Sequence, residues 1–186
     1  MKSTPEQIVD EVMGLLAGPG STLSYGEGVT QLAHALQCAK CAAAVTADEE
    51  VILAALLHDI GHICDPTAEQ MAADIGIVDH EGIGAQFLLA RGFSQKIADL
   101  VRAHVAAKRY LVATNATYAA QLSPASTATL KHQGGPMSPA EVAAFESDPL
   151  FTTKLRMRSW DEIGKEPDMV TLPLTAYRKM MLRHLS

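Results

Sequence analysis

Leu57-His58-Asp59-Ile60-Gly61-His62 places an adjacent histidine and aspartate directly after the apolar run at 51–57. Imidazole and carboxylate together suit divalent first-row metals such as iron and manganese, and one carboxylate can bridge two of them. Neighbouring residues diverge by about 100° on a regular helix, so both side chains reach one centre most easily at a helix end, which Gly61 can supply. We therefore predict a metal site at the end of a buried helix.

Helical patterns flank this stretch on both sides. Start and stop signals occur at Thr4-Pro5, Gly18-Pro19, Asp48, Ser94, Ser123-Pro124 and Ser138-Pro139. A last helix should begin near Thr175, and few segments alternate with the period of two that is typical of strands. The fold class predicted is all-α, a single helical bundle that occupies residues 1–186 as one domain.

Composition narrows the range of partners. The 186 residues carry a net charge of -6 and give a pI near 5.6, without the broad basic field that supplies nonspecific affinity for nucleic acid. No apolar run approaches the roughly 20 residues that span a bilayer, and no apolar leader follows Met1. We expect a cytoplasmic protein, monomeric or a small homo-oligomer, that binds neither nucleic acid nor membrane and keeps its three cysteines reduced and buried.

Further candidate ligands lie on other predicted helices. His34 precedes the doublet, His80 and His104 follow it, and Asp161 lies near the C-terminal end. A lone histidine on an apolar face is usually a hydrogen-bonded core residue. The ordered set favours the other interpretation, because helical proteins build dinuclear centres from such side chains on several inward-facing helices.

Basic and hydroxyl side chains recur at helical spacing around these candidates. Lys108 lies four residues after His104, Arg158 three before Asp161, His62 four after His58, and Ser126 and Thr129 are three apart. Each basic side chain would then share a helix face with a candidate ligand. Cations and hydroxyls beside a metal suit a dianionic tetrahedral group, whereas the alternative is a set of ordinary exposed polar residues.

The order of these residues resembles that of the HD-domain superfamily, in which a His, His-Asp, Asp quartet binds a metal. His80 and His104 resemble the additional ligands of members with a second metal. The resemblance implies that a first iron is held by His34, His58, Asp59 and Asp161, and a second by Asp59, His80 and His104.

A more specific resemblance covers the chain from about Leu23 to Leu185. His104-Val105-Ala106-Ala107-Lys108-Arg109-Tyr110, Gln133-Gly134-Gly135-Pro136-Met137 and Tyr177-Arg178-Lys179-Met180-Met181 are similar to segments of the mixed-valent diiron oxygenases that degrade hydroxylated aminoethylphosphonates. The resemblance implies an Fe(II)/Fe(III) cofactor, dioxygen as co-substrate and cleavage of a carbon-phosphorus bond. It also implies a catalytic role for His62 and substrate contacts from His62, Lys108, Ser126, Thr129, Gln133 and Arg158.

The segment Ser24-Tyr25-Gly26-Glu27-Gly28 precedes the predicted His34 helix. Glu27 is a candidate partner for a substrate cation, and Tyr25 is a candidate for both substrate binding and catalysis. In the family's primary-amine enzyme two residues separate the corresponding tyrosine and glutamate, whereas here Gly26 alone does. With glycines beside Tyr25 and Glu27, we predict a roomier pocket than in that enzyme. Such a pocket favours a trimethylammonium group, because this group donates no hydrogen bonds and prefers diffuse negative charge and aromatic faces.

The predicted reaction is therefore cleavage of (R)-1-hydroxy-2-(trimethylammonio)ethylphosphonate to glycine betaine and phosphate. Three alternatives remain open from the sequence. The first is the same reaction on 2-amino-1-hydroxyethylphosphonate, which would give glycine and phosphate. The others are a metal-dependent phosphohydrolase, because a two-metal centre also activates water, and a binding module without chemistry.

Overall fold

A computed structural model describes residues 3–24, 28–69 and 76–186, and over these ranges the protein is an all-α bundle, as predicted. The helices are α1 (Pro5–Leu16), α2 (Gln31–Ala43), α3 (Glu49–Leu57), α4 (His80–Ala90), α5 (Gln95–Thr114), α6 (Ala116–Ala120), α7 (Pro124–His132), α8 (Pro139–Glu146), α9 (Phe151–Ile163) and α10 (Arg178–Leu185). Short 3₁₀ turns occupy Pro19–Thr22, Ile60–His62 and Leu174–Tyr177.

The predicted helix starts are confirmed at five positions, where a side-chain oxygen accepts a hydrogen bond from a backbone N–H of the first turn. The capping residues are Thr4, Asp48, Ser94, Ser123 and Ser138. The segment predicted to begin near Thr175 is helical from Leu174, first as the 3₁₀ turn and from Arg178 as the regular helix.

Helix α3 lies at the centre of the bundle. Its residues from Val51 to Leu57 are each at most 6% exposed, and α2, α5, α9 and α10 pack around it. The His-Asp doublet that follows Leu57 therefore starts inside the core. Within the described residues, no helix is both long enough and apolar enough to cross a bilayer.

The cysteines differ in burial. Cys38 is 1% exposed, as predicted, whereas Cys41 and Cys64 are half-buried and pack against the hydrophobic core. All three are free thiols.

Candidate metal centre

The chain leaves the helix directly at the doublet. Helix α3 ends at Leu57, and Asp59 has φ -100° and ψ 10° before the turn Ile60–His62. This departure lets two neighbouring side chains converge on one point instead of diverging by about 100°. The predicted helix end is confirmed, but it precedes Gly61 by several residues.

A first set of donor atoms brings together four predicted side chains. His34 Nε2 lies 3.1 Å from His58 Nε2, 3.6 Å from Asp59 Oδ2 and 3.3 Å from Asp161 Oδ1. His58 Nε2 lies 3.5 Å from the same Asp59 oxygen. Helices α2 and α9 and the end of α3 therefore each contribute to one cluster.

A second set lies on the other side of Asp59. His80 Nε2 and His104 Nε2 are 3.0 Å apart, and they lie 3.6 Å and 3.5 Å from Asp59 Oδ1. The two carboxylate oxygens of Asp59 thus face different sets, which is the arrangement of a bridging ligand. The structure brings all six side chains together, and their role as ligands remains a prediction.

Backbone carbonyls fix the orientation of all four imidazoles. Nδ1 of each ring lies 2.6–3.3 Å from a carbonyl oxygen, of Gly164 for His34, Ala55 for His58, Ile77 for His80 and Val101 for His104. An imidazole that donates from Nδ1 presents the lone pair of Nε2 when it is neutral. Such outer contacts are typical of histidines that bind metals.

The second set fits a metal ion by its donor chemistry. Burial is the main cause that lowers the pKa of both His80 and His104 to about 3, so both rings are neutral at pH 7. Their inward lone pairs then face each other at 3.0 Å without a proton between them, and a cation relieves that repulsion. Ligand atoms around a metal bound at roughly 2.1 Å lie about 3.0 to 3.4 Å apart, close to the observed spacing.

In the first set, charged neighbours favour the protonated form of His34. Burial alone would lower the pKa of His34, but its hydrogen bond to Asp161 and the charge of that carboxylate help to raise it well above its ordinary value. Burial raises the pKa of both carboxyl groups, but Arg158 and His34 outweigh it for Asp161, and the imidazoles beside Asp59, His58 foremost, hold its pKa below the ordinary value. Metal uptake at this set should therefore release a proton.

Two glycines allow the second set to approach the doublet. A Cβ on Gly61 would overlap the carbonyl oxygen of His80 and lie 2.9 Å from the nitrogen of Gly84. A Cβ on Gly84 would lie 3.0 Å from the nitrogen of Gly61. The start of α4 therefore touches the turn backbone to backbone, which places His80 beside Asp59.

We expect Gly61→Ala to push α4 away from the turn. Overpacking of this kind costs about 1 to 3 kcal/mol or more, and the shift should separate His80 from Asp59. Unfolding by urea and the number of Mn(II) ions bound per chain measure the two effects. Gly14→Ala is the matched control, because a Cβ there meets nothing within 4 Å; equal stability and metal content in the two variants would contradict the close-approach role.

The predicted substrate contacts line one cavity of about 80 Å³. Its walls include His62, Lys108, Ser126, Thr129, Gln133 and Arg158 together with the candidate ligands His34, Asp59, His80, His104 and Asp161. The cations and hydroxyls predicted from helical spacing therefore do lie beside the two donor sets. Tyr25 and Glu27 lie outside the described residues.

His62 lines the cavity and accepts a backbone hydrogen bond through Nδ1. It lies in a 3₁₀ turn and not on the face of a continued α3, so the helical spacing from His58 was wrong for this residue. Its Nδ1 accepts the N–H of Ile77 at 3.1 Å, and burial first lowers its pKa to about 4. The neutral ring therefore carries its hydrogen on Nε2, while the ring itself stacks on His80 with 4.0 Å between centroids.

Lys108 is a buried ammonium, 4% exposed, and donates to Thr129 Oγ1 at 2.9 Å. Burial first, and then Arg158, lower its pKa to about 8. Thr129 in turn donates to the carbonyl oxygen of Ser126 at 3.1 Å. The sequence predicted the hydroxyls of Ser126 and Thr129 as substrate contacts, but in this structure the Thr129 hydroxyl accepts from Lys108 and donates to the Ser126 carbonyl.

Arg158 is held from several sides. It donates from Nε to the Tyr118 hydroxyl at 2.7 Å, and from its terminal nitrogens to Asp161 Oδ2, to Glu162 at 2.9 Å and to Ser126 Oγ at 3.4 Å. The guanidinium therefore fixes Asp161 through one oxygen and leaves the other directed at His34. Tyr118 was not predicted from the sequence, because it lies 40 residues from Arg158 and no local pattern relates the two.

Lys165 is a second functional candidate that was not predicted from the sequence. It lines the same cavity, and its Nζ is 3.7 Å from Asp161 Oδ1. A signal was present, because Lys165 follows Asp161 at the four-residue spacing that singled out Lys108. Helix α9 ends at Ile163, so the contact comes from the turn after the helix.

Comparison with known proteins places this centre in a class. The HD domain family matches residues 32–144 of the chain, which therefore belongs to the HD-domain family. The matched region contains the doublet, His34, His80 and His104, whereas Asp161 follows it.

The most informative relatives are oxygenases. The chain is 42% identical over 176 residues to a [1-hydroxy-2-(trimethylamino)ethyl]phosphonate dioxygenase (glycine-betaine-forming) of Leisingera caerulea, covering 95% of this chain and 89% of the relative. It is 40% identical over 178 residues to a hydroxymethylphosphonate dioxygenase of Gimesia maris, covering 95% and 88%. An uncharacterized protein of Acanthamoeba polyphaga mimivirus is 38% identical over 181 residues, covering 97% and 83%. The chain is thus an HD-domain oxygenase of the family that contains these dioxygenases, which confirms the resemblance seen in the sequence.

Proposed function

We propose that the protein uses two iron ions and dioxygen to cleave the carbon-phosphorus bond of (R)-1-hydroxy-2-(trimethylammonio)ethylphosphonate, giving glycine betaine and phosphate. The observation that carries this proposal is the position of Asp59, whose two oxygens face two separate donor sets at 3.5–3.6 Å. A single-metal site would not need the second set. Relatives at 40% and 42% identity that act on phosphonates support the same chemistry.

The iron pair, when bound, would chelate the C1 hydroxyl and a phosphonate oxygen of the substrate and activate dioxygen. His34, His58, Asp59 and Asp161 would hold one ion, and Asp59, His80 and His104 the other. The products contain two oxygen atoms more than the substrate, one in the carboxylate and one in the phosphate. One dioxygen per phosphate therefore balances the reaction without an external reductant.

The side chains opposite the donor sets would bind and orient the phosphonate. His62 presents an N–H from Nε2, Lys108 presents an ammonium that Thr129 holds in place, and Ser126 presents a hydroxyl. Charge-assisted hydrogen bonds of this kind are among the strongest that a protein offers an anion. Fixing the phosphonate in this way would hold C1 at the metal pair, which is the contribution of geometry to the rate.

Gln133 has a distinct place in the proposal. Its amide oxygen is buried without a hydrogen-bond partner among the described residues, and the side chain lines the cavity. Buried polar atoms are nearly always paired, so this oxygen calls for a donor from a ligand. The C1 hydroxyl of the substrate is one such donor, and a turn of the amide would instead offer N–H groups to the phosphonate.

The trimethylammonium preference rests on the Tyr25-Gly26-Glu27 spacing and on the name of the Leisingera caerulea relative. Tyr25 and Glu27 would surround the cation with an aromatic face and a carboxylate. We propose further that residues 1–186 form one HD domain, which acts in the cytoplasm as a monomer or small homo-oligomer.

Phosphate release should depend on dioxygen. We expect the iron-loaded protein to release one phosphate per dioxygen consumed from the trimethylammonio substrate, and to stop when oxygen is removed. An oxygen electrode and a phosphate assay, run with and without air, measure both quantities. Phosphate release that continues without oxygen would show a phosphohydrolase instead, and no turnover under either condition would favour a binding module.

The same assay decides the substrate. We expect the trimethylammonio compound to have a higher kcat/KM than 2-amino-1-hydroxyethylphosphonate or hydroxymethylphosphonate, measured in parallel with one preparation. A large preference for the primary amine would overturn the substrate choice but leave the oxygenase proposal intact.

A further inference from the structure

Lys165 occupies the boundary between two cavities. It lines the cavity of the donor sets together with Ser126 and Arg158, and the same three residues line a neighbouring cavity of about 290 Å³. Among the residues that the structure describes, Tyr118, Gln121, Ser123 and Glu162 also line the second cavity. The side chain of Lys165 is 20% exposed. Its ammonium can therefore serve either the donor sets or an anion that passes between the cavities.

The backbone around Lys165 is fixed to α2 on both sides. Gln37, 2% exposed, donates from its amide to the carbonyl oxygen of Glu166 at 2.8 Å and accepts the N–H of Glu166 at 3.0 Å. On the other side, the carbonyl oxygen of Gly164 faces Nδ1 of His34 at 2.8 Å. The backbone of Lys165 is thus held beside the first donor set, from which its long side chain reaches the cavity.

Lys165 and a metal ion in the first set would compete for the same oxygen of Asp161. Its Oδ2 is held by Arg158, whereas its Oδ1 lies 3.3 Å from His34 Nε2 and 3.7 Å from Lys165 Nζ. Oδ1 is therefore the oxygen that a metal in the first set would bind. A divalent cation and an ammonium on the same oxygen repel each other, so metal binding should displace the ammonium from Asp161.

We propose that Lys165 is a third cation of the active site, which neutralises Asp161 before the metal binds and pairs with the phosphonate or the phosphate afterwards. The inference rests on the proposed metal pair and anion cavity, but not on the identity of the substrate's nitrogen. It assigns Lys165 two opposing effects. The ammonium weakens binding of the first metal and strengthens binding of the anion.

Lys165→Met should change the two affinities in opposite directions. Without the ammonium, we expect the first metal to bind about 10-fold more tightly, because the competition at Asp161 is gone. We expect inorganic phosphate and methylphosphonate to bind about 10-fold more weakly, because a charged partner is lost. Damage to the turn at 164–166 would instead weaken both, since Gly164 also orients His34.

The experiment uses the full chain and needs no turnover. Mn(II) affinity is measured by competition with a chelator, and the affinities of phosphate and methylphosphonate are then measured by calorimetry on the Mn(II)-loaded protein. Lys165→Arg retains the charge and should restore most of the anion affinity. Lys179→Met, an exposed change on α10, controls for net charge.

The outcomes separate the inference from the proposed function. With normal binding by the unaltered protein, an anion affinity in Lys165→Met within twofold of normal would overturn the role of Lys165, as would weaker Mn(II) binding. Failure of the unaltered protein to bind two Mn(II) ions or either anion would remove the proposed metal pair or anion cavity, and the inference with it. Oxygen-dependent turnover is scored separately, so a change of reaction leaves the binding result readable.

Discussion

Asp59→Asn should fold but lose both metal ions. The carboxylate supplies one oxygen to each donor set, so its loss weakens both sites at once. An asparagine is nearly isosteric, but it has a single acceptor oxygen, and its NH₂ group would point hydrogens at imidazole lone pairs. Those hydrogens would form hydrogen bonds with the imidazoles in the metal-free protein and would exclude a metal ion. We expect turnover to fall at least about 1000-fold, which corresponds to about 4 kcal/mol of activation free energy.

The measurement is metal content together with turnover. Iron per chain is determined by elemental analysis after loading and gel filtration, and circular dichroism confirms that the helices remain. Asp99→Asn is a matched control on α5, because an amide oxygen there can still accept the hydrogen bond from Gln95. If Asp59→Asn retained two ions and normal turnover, Asp59 would not bridge a metal pair.

The convergence of the six candidate ligands was predictable from the sequence because residue type and order limit the alternatives strongly. A His-Asp doublet after an apolar run requires a helix that ends in the core, and α3 does so at Leu57. Separate helices then bring His80 and His104 to the free oxygen of Asp59. The capping residues were equally predictable, because their hydrogen bonds span two or three residues.

Contacts that depend on backbone approach were not predictable. Gly61 looked like a helix stop, whereas its role in the structure is to let α4 touch the turn through Gly84. His62 was predicted to lie one turn further along the same helix as His58. It lies instead in a 3₁₀ turn, where the backbone N–H of Ile77 donates a hydrogen bond to its ring. Tertiary packing decides such features, and a single sequence carries no periodic signal for them.

The polar partners of the basic residues form a second class of unpredicted contacts. Arg158 donates hydrogen bonds to Tyr118 and Glu162 as well as to Asp161. Most of its N–H groups are therefore already paired within the protein. Lys108 differs, because its ammonium has one hydrogen bond, to Thr129, among the described residues. Lys108 is therefore the cation that the structure leaves most available to a ligand, and it should carry the largest share of anion binding.

Lys108→Met should have opposite effects on binding and on stability. An ammonium that is 4% exposed is desolvated, and burial with the nearby Arg158 lowers its pKa from 10.5 to about 8. That shift corresponds to a cost on the order of 3 kcal/mol for the charged form in the metal-free protein. Loss of the hydrogen bond to Thr129 offsets about 1 kcal/mol. The variant should therefore be more stable at pH 7 by roughly 2 kcal/mol, while its KM rises about 100-fold or more.

The pH dependence distinguishes this cause from improved packing. Below about pH 8 the ammonium is charged in both the folded and the unfolded protein, so the burial cost is present in full. Between about 8 and 10.5 the folded protein releases the proton before the unfolded one does, so the free energy of unfolding of the unaltered protein rises with pH. The advantage of Lys108→Met should consequently narrow between pH 7 and pH 9.5.

Urea unfolding of the metal-free proteins at the two pH values measures this difference, and steady-state kinetics of the iron-loaded proteins measures KM. Lys131→Met is the control, because an exposed lysine on α7 should change the free energy of unfolding by less than about 0.5 kcal/mol. If the gain in free energy of unfolding were the same at both pH values, its cause would be packing of the methionine rather than removal of a buried charge. A loss of stability at pH 7, or an unchanged KM, would contradict the view that this protein retains a costly buried ammonium because the anion requires it.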